Sequence, residues 1–346
     1  MKQENTSIYF RCDFGPQYGL GHLMRCISLA QGFQKKSSIE TFCLCNAFHE
    51  KYQALLLESG MNVITFREKK IGLDFEPADY VDSSQNNITV FDNYDVTFKQ
   101  MVSYKKKYPK LVAIDDTADR FFNTDIIINP SFEARRFNYL TINSPKLLLG
   151  NDYVLLRQCF FKTNTKRKKN HIFMSFGGGD VFRRIKSLLK GFHYIEKQLN
   201  NPITIDFVLN VDQDQFQLIH SILSSCKKIA FNYISDSYNL SSVMAQADFA
   251  ITAGGSTVFE LAYLGVPQLI FIIDKNQEVM REVDEKGFGV CLGYIWDVSE
   301  KQFENKFFEF LQNKLLKENM SKKGREFIDG KGAERAVNQI MNYYYN

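Results

Sequence analysis

Short apolar runs alternate with helical patterns along this chain, and the alternation occurs twice. "SIYFRC", "ETFCLC", "NVITF", "ITVFD", "LVAID" and "DIIIN" are apolar and bounded by polar loops, as strands buried on both faces are. Helical patterns lie between several of them. From Leu23 the apolar positions Leu23, Cys26, Ile27, Ala30 and Phe33 share one helix face. Strands that alternate with helices predict a parallel sheet covered on both sides. A second series, "HIFMSF", "ITIDFVLN", "IAFNYI", "DFAIT" and "QLIFII", follows the basic stretch "KTNTKRKKNH". The expected organisation is an α/β unit over 1–160, a linker over 161–170, a second α/β unit over 171–330 and a C-terminal helix within 331–346. Ligands of open α/β sheets sit at the carboxyl ends of the strands. The loops there, and a cleft between two such units, are the default site.

Composition narrows the class. Hydrophobic residues are 45% and charged residues 24% of the chain, and the net charge is +4. That balance fits a soluble globular protein. The basic residues are mostly dispersed, and no nucleic-acid-binding module is recognisable. The longest apolar stretches are too short to span a bilayer. "MKQENTS" leads straight into a strand and has no signal-peptide core. Seven cysteines, an odd number with no CxxC pair, sit mostly in apolar runs, which suits buried thiols in a reducing cytoplasm. The five histidines show no metal-ligand spacing.

Several strand-end loops could carry chemistry. In "DFGPQYGLGHLMRCISLAQG", Gly15, Gly19 and Gly21 precede a helix that opens with His22. The spacing GxxxGxG is not the dinucleotide fingerprint GxGxxG. Glycines permit a tight turn and close approach of a ligand to the backbone. The positive end of the helix disfavours imidazolium, so His22 is expected to be neutral and able to accept a proton. Alternatively it only packs or caps the helix end. In "DFAITAGGSTVFELAYLGVP", a strand leads through Gly254 and Gly255 to a short helix whose N–H groups suit an anion. Glu260 either closes a capping box with Thr257 or reaches ribose hydroxyls. "FGGGD" brings Phe176, Gly177 and Gly178 to a third strand end. "FDNYD" and "IDDTADR" bring Asp92, Asn93, Tyr94, Asp115 and Asp116 to two more. Asp274, Asn276 and Gln277 end another strand, and "GNDYVLLR" leads to Arg157. Asp212-Gln213-Asp214 spells the DxD of some metal-dependent sugar transferases, but reads as a solvated helix start.

"GLGHLMRCISLA", "FDNYDV", "AIDDTADR", "LLLGNDYVLLR", "MSFGGGD", "ITAGGSTVFELAYLGVP" and "IDGKGAERAV" occur in that order. Together they resemble the UDP-2,4-diacetamido-2,4,6-trideoxy-β-L-altropyranose hydrolase family of pseudaminic acid biosynthesis. That family is related to spore-coat polysaccharide glycosyltransferase-like proteins. The resemblance covers nearly the whole chain. It implies a GT-B fold, an α/β architecture of two Rossmann-like domains with a UDP-sugar in the cleft. It also implies water attacking the anomeric carbon, inversion and release of UDP. The family's proposed base maps onto His22, its ribose-holding glutamate onto Glu260, and its loop tyrosine and asparagine onto Tyr94 and Asn276.

On that basis His22, Asp13 and Tyr94 are the expected catalytic set. Arg11, Gly19, Gly21, Arg25, Asn93, Asp115, Arg157, Asn276 and Gln277 are the expected substrate contacts. Phe176, Gly177, Gly178, Gly254, Gly255, Ser256, Thr257 and Glu260 are the expected UDP contacts. The resemblance implies no metal and no cofactor. The expected partners are a UDP-sugar and water, with no nucleic acid and no stable membrane insertion, and the expected state is a cytoplasmic monomer. A glycosyltransferase using the same donor, and a nucleotide-sugar-binding protein without catalysis, are the alternative readings.

Overall fold

The computed structural model describes residues 6–12, 14–15, 19–36, 39–45, 50–65, 86–94, 96–163, 165–177, 182–209, 211–234 and 240–345. The chain forms two compact units. The first comprises Met1–Gln158 with Gly330–Asn346, and the second Cys159–Asp329.

In the first unit the strands are β1 (Thr6–Cys12), β2 (Ile39–Cys45), β3 (Asn62–Thr65), β4 (Ile88–Asp92), β5 (Leu111–Ile114), β6 (Phe121–Phe122), β7 (Ile126–Asn129), β8 (Leu140–Thr141) and β9 (Lys146–Leu149). Seven of them form one sheet in the order β3-β2-β1-β4-β5-β7-β9, and β6 pairs with β8 in a small second sheet. All the pairings are parallel. Every residue of β4, β5 and β7 is buried, because helices cover both faces and leave no side of a strand for water. The helix Gly21–Gln34 buries Leu23, Cys26, Ile27, Ala30 and Phe33, the stripe that its sequence spacing predicts.

The C-terminal helix, Gly332–Tyr345, groups with the first unit. The Tyr344 hydroxyl donates to Asp125 at 2.8 Å and the Tyr345 hydroxyl to the Asn86 carbonyl at 2.6 Å.

The second unit has β10 (His171–Ser175), β11 (Ile203–Val208), β12 (Ile229–Ile234), β13 (Phe249–Ala253), β14 (Gln268–Ile272) and β15 (Gly289–Tyr294). They form one sheet in the order β12-β11-β10-β13-β14-β15, again parallel. Phe192, Phe249, Phe271, Phe303 and Phe307 pack as an aromatic core between this sheet and its helices. Asp212, the first residue of the DxD triplet, is the N-cap of the helix Gln213–Leu223 and accepts from the Gln215 N–H at 2.8 Å. It opens a helix, as its sequence suggests.

Both sheets reverse direction of winding once: between β1 and β4 in the first, and between β10 and β13 in the second. At such a point, adjacent loops leave in opposite directions and open a crevice at the carboxyl ends. In each unit a glycine-containing loop emerges there.

Candidate active site

In the first unit, parallel pairing sets Cys12 of β1 beside Asp92 of β4. The chain leaving β1 passes through Gly15 and Gly19, which exchange two backbone hydrogen bonds at 3.1 and 2.7 Å. Their φ angles are +130° and +73°, conformations that favour glycine. The helix opens two residues beyond Gly19, at Gly21, and His22 on its first turn reaches the end of β4. His22 Nδ1 lies 2.5 Å from Asp92 Oδ1, and both side chains are buried.

Arg25, one turn further along the same helix, completes the arrangement. Its Nε donates to Asp92 Oδ2 at 2.9 Å and its Nη2 to Asp92 Oδ1 at 2.8 Å. Its Nη1 donates to Asp116 Oδ2 at 2.5 Å. Arg25 Nη2 also lies 2.9 Å from His22 Nδ1. A guanidinium only donates and a carboxylate only accepts. The shorter Asp92 contact therefore assigns the Nδ1 proton to the carboxylate, and Nε2 is left as the nitrogen that can take a proton. Tyr94 closes the group. Its ring stands edge-on to His22, with centroids 4.5 Å apart, and its hydroxyl donates to Asp116 Oδ1 at 2.6 Å.

The electrostatics follow from a count of charges. Asp92 and Asp116 carry two negative charges and Arg25 one positive charge, so the cluster is one proton short of neutral. Burial opposes a charge on His22, but the Asp92 carboxylate outweighs it, and the His22 pKa is raised. Burial likewise opposes the charge on Asp92, yet Arg25 and His22 hold its pKa below the usual value. The Tyr94 pKa is pushed up by burial and by Asp116, so the phenol keeps its proton.

The expected downward push of the helix start on the His22 pKa is therefore outweighed, and Asp92 raises it instead. The dipole is worth about 0.3–1 kcal/mol. A unit charge at 4 Å is worth about 4 kcal/mol at an effective dielectric constant of 20, so Asp92 wins.

Asp92 and Asp116, absent from the expected site, are the residues that organise it. Asp115 instead holds its own turn, accepting from the Ala118 and Thr117 N–H groups at 2.7 and 3.1 Å. Arg120 ties the neighbouring loops together by donating to the Asn93 carbonyl at 2.6 Å. Arg11 and Arg157 are buried in the same unit. Asp13 and Gly178 lie outside the described residues.

In the second unit, the pairing of Ser175 with Thr252 brings the loops after β10 and β13 side by side. Phe176 is buried against Phe271, so its side chain belongs to the core and only its backbone is left for a ligand. Gly177 follows at the surface.

The Gly254 N–H is committed within the protein, to the Phe271 carbonyl at 3.0 Å and Gln277 Oε1 at 3.2 Å. Gln277 Oε1 also accepts from the Ile273 N–H at 3.0 Å, so Gln277 joins two loops. A Cβ at Gly254 would stand 2.7 Å from Met280 Cγ and 3.0 Å from Gln277 Cβ, whereas nothing lies within 4 Å of one at Gly255. Asn276 is exposed beside Gln277.

The helix Thr257–Leu264 has Ser256 as its N-cap, with no side-chain capping bond. Thr257 is the first residue of the helix, so it and Glu260 do not form a capping box. Glu260 is buried. Among the described residues, no acceptor is recorded for the Ser256 and Thr257 N–H groups. These, rather than Gly254, are the donors that the loop offers to an anion.

All seven cysteines are free thiols. Among the described residues no group of three or more His, Cys, Asp or Glu side chains is placed to hold a metal ion. No described helix is long and apolar enough to cross a membrane.

Comparisons with known proteins agree with this architecture. The chain is 20% identical over 342 residues to the spore coat polysaccharide biosynthesis protein SpsG of Bacillus subtilis (strain 168), covering 96% of this chain and 97% of that protein. It is 22% identical over 307 residues to a Helicobacter pylori (strain ATCC 700392 / 26695) protein named pseudaminic acid cytidylyltransferase and UDP-2,4-diacetamido-2,4,6-trideoxy-beta-L-altropyranose hydrolase. That match covers 88% of this chain and 51% of the relative, so the chain spans about half of its length. Among solved structures, Acinetobacter baumannii MurG superposes with a TM-score of 0.65 at 13% identity, over 98% of this chain and 100% of that one. This last likeness is one of fold, and the fold is GT-B, α/β with two parallel-sheet units. The model of the glycosyltransferase family 28 C-terminal domain matches residues 158–339. That is more than half of the 346 residues, and the chain belongs to this family.

Proposed function

We propose that the chain cleaves a UDP-linked diacetamido-trideoxyhexose at its anomeric carbon, yielding UDP and free sugar with inverted configuration. The observation that carries this reading is the buried Asp92–His22 pair, with Nδ1 bound to the carboxylate and Nε2 available as a base. Water attacks the anomeric carbon as His22 Nε2 takes its proton. The bond from that carbon to the phosphate oxygen breaks, and UDP leaves with the electron pair. Asp92 orients the imidazole and stabilises the imidazolium that forms. Arg25 fixes Asp92 from its other side. The Ser256 and Thr257 N–H groups bind the diphosphate and offset the charge that develops on it. Glu260 accepts hydrogen bonds from the ribose hydroxyls. The name of the Helicobacter pylori relative supports both the donor class and the hydrolytic outcome.

A second reading has an observation of its own. The family match is to a glycosyltransferase domain, and the same base activates an acceptor hydroxyl as readily as water.

The test is UDP release by the purified chain in EDTA from a panel of UDP-diacetamido-trideoxyhexoses, with NMR of the released sugar. Hydrolysis predicts acceptor-independent release well above background, with inverted free sugar as the product. Release only when a glycan or lipid-linked acceptor is added supports the transferase. Loss of all turnover in the chelator contradicts the metal-free chemistry.

A further inference from the structure

The second unit carries a cavity of about 740 Å³ that the proposed reaction does not use. Sites for small molecules typically measure roughly 300–1,000 Å³. Asn170 and Asp248, in its wall, immediately precede β10 and β13, and Asn201 lies just before β11. The cavity therefore opens at the amino ends of the strands, whereas Gly254 stands at a carboxyl end. Six residues of extended chain, about 20 Å, separate Asp248 from Gly254.

The charges of the wall do not cancel. Asp248 is paired with Lys317 at 2.7 Å, and Glu318 with Lys314 at 3.5 Å. These pairs account for both carboxylates, and Arg167 and Lys169 are in excess. Arg167 Nη2 donates to the Gly265 carbonyl at 2.7 Å. Burial and the neighbouring Arg325 guanidinium both oppose its charge, with Asp248 offsetting only part, and its pKa is lowered. An anion bound beside it relieves that opposition. Lys169 is exposed at the rim, and among the described residues no ion pair involves it. The rest of the lining is neutral. Asn200, Asn201 and Gln312 present carboxamides, which both donate and accept, and Phe308 and Leu311 present apolar surface.

We propose that this cavity is a second ligand site, specific for a phosphorylated sugar. The phosphate sits between Arg167 and Lys169. The carboxamides pair with hydroxyls, and the C–H face of the ring lies against Phe308 and Leu311. Inorganic phosphate meets only the first of these requirements and glucose only the others, so each alone binds more weakly than the two joined.

The test is calorimetric titration of the full chain, saturated with UDP to occupy the nucleotide loop. The probes are glucose 1-phosphate, N-acetylglucosamine 1-phosphate, glucose 6-phosphate, glucose and inorganic phosphate. At least one sugar phosphate is expected to bind saturably, tenfold or more tighter than either glucose or phosphate. Lys169→Glu, at an exposed position, is expected to weaken it at least tenfold and to leave UDP affinity unchanged. Amide exchange at 198–201 and 308–318 is expected to slow on binding. The proposal is overturned if no sugar phosphate binds, if phosphate alone binds as tightly, or if Lys169→Glu leaves the affinity unaltered. A failure of UDP itself to bind counts against the proposed reaction, and the sugar-phosphate titration is then read in its absence.

Discussion

Around His22 in the first unit, a guanidinium and two carboxylates lie within hydrogen-bonding distance of one another. Around Gly254 in the second, the groups that bond one another are backbone N–H groups and the Gln277 carboxamide. Both loops leave the carboxyl end of a parallel sheet at the point where its winding reverses, so the scaffold is the same. What differs is where the charge comes from. The first loop supplies its own charges and is one proton short of balance, which suits a step that moves a proton. The second supplies neutral N–H donors, which suits the diphosphate of the proposed donor. On the proposed function, similar sheets would divide the labour between chemistry and binding.

The sharpest way to break this comparison is to remove the charge that organises the first loop. Asp92→Asn is expected to lower kcat by roughly 10²–10⁴-fold, because the amide no longer fixes the Nδ1 proton. The pH profile supplies the sign. A base must be unprotonated to act, so activity falls as pH drops through the His22 pKa. In the native chain that pKa is raised, and the acid limb should have its midpoint above the ordinary histidine value of about 6.5. Asp92→Asn removes the raising charge and should move the limb to lower pH. A limb that does not move separates His22 from the profile.

The matching change in the second loop is smaller and of a different kind. Glu260→Gln is expected to weaken UDP binding by about 1.5–3 kcal/mol, the worth of a hydrogen bond to a charged group. The melting temperature should change little, since the amide keeps the size and shape of this buried carboxylate. A stability loss of around 1 kcal/mol with unchanged UDP affinity would restore the capping role.

Smaller again is the contrast between adjacent glycines. Gly254→Ala forces a Cβ against Met280 and Gln277 and should destabilise the chain by about 1–3 kcal/mol. Gly255→Ala has open space around it and should change stability by no more than about 0.5 kcal/mol. Equal effects in a denaturant titration would mean that the Gln277 tie does not fix the loop.

Most of this fold was legible because buried parallel strands read as unbroken apolar runs. "ITVFD" and "QLIFII" fall on β4 and β14 with hardly a residue of error. Most of the elements that escaped lack that signature: β15 contains Gly289 and Gly293, and β6 and β8 are two residues long. β9 has the apolar run "KLLL" but lies at the sheet edge with one buried residue.

The site was legible in part. His22 stood out because a histidine at a glycine turn is unusual, and Tyr94 through resemblance. Asp92 ended an apolar strand in plain view, but its role depends on β1 and β4 being neighbours, which no local pattern reveals. The choice between Asp115 and Asp116 was also closed to the sequence. Adjacent residues point to different surroundings, and only the folded loop decides which one meets Arg25. The direction in which the His22 pKa moves was closed to the sequence as well, because the helix start is local in sequence whereas Asp92 lies 70 residues away.

The division between a proton-moving loop and a nucleotide-holding loop is tested most directly by one variant and two readings. His22→Asn should be assayed for UDP release from the UDP-sugar donor and, on the same preparation, titrated with UDP. The account predicts that kcat and kcat/KM fall together by roughly 10²–10⁴-fold, while the Kd for UDP stays within about twofold. Turnover close to that of the native chain, or a loss of UDP affinity in step with the loss of rate, would contradict it.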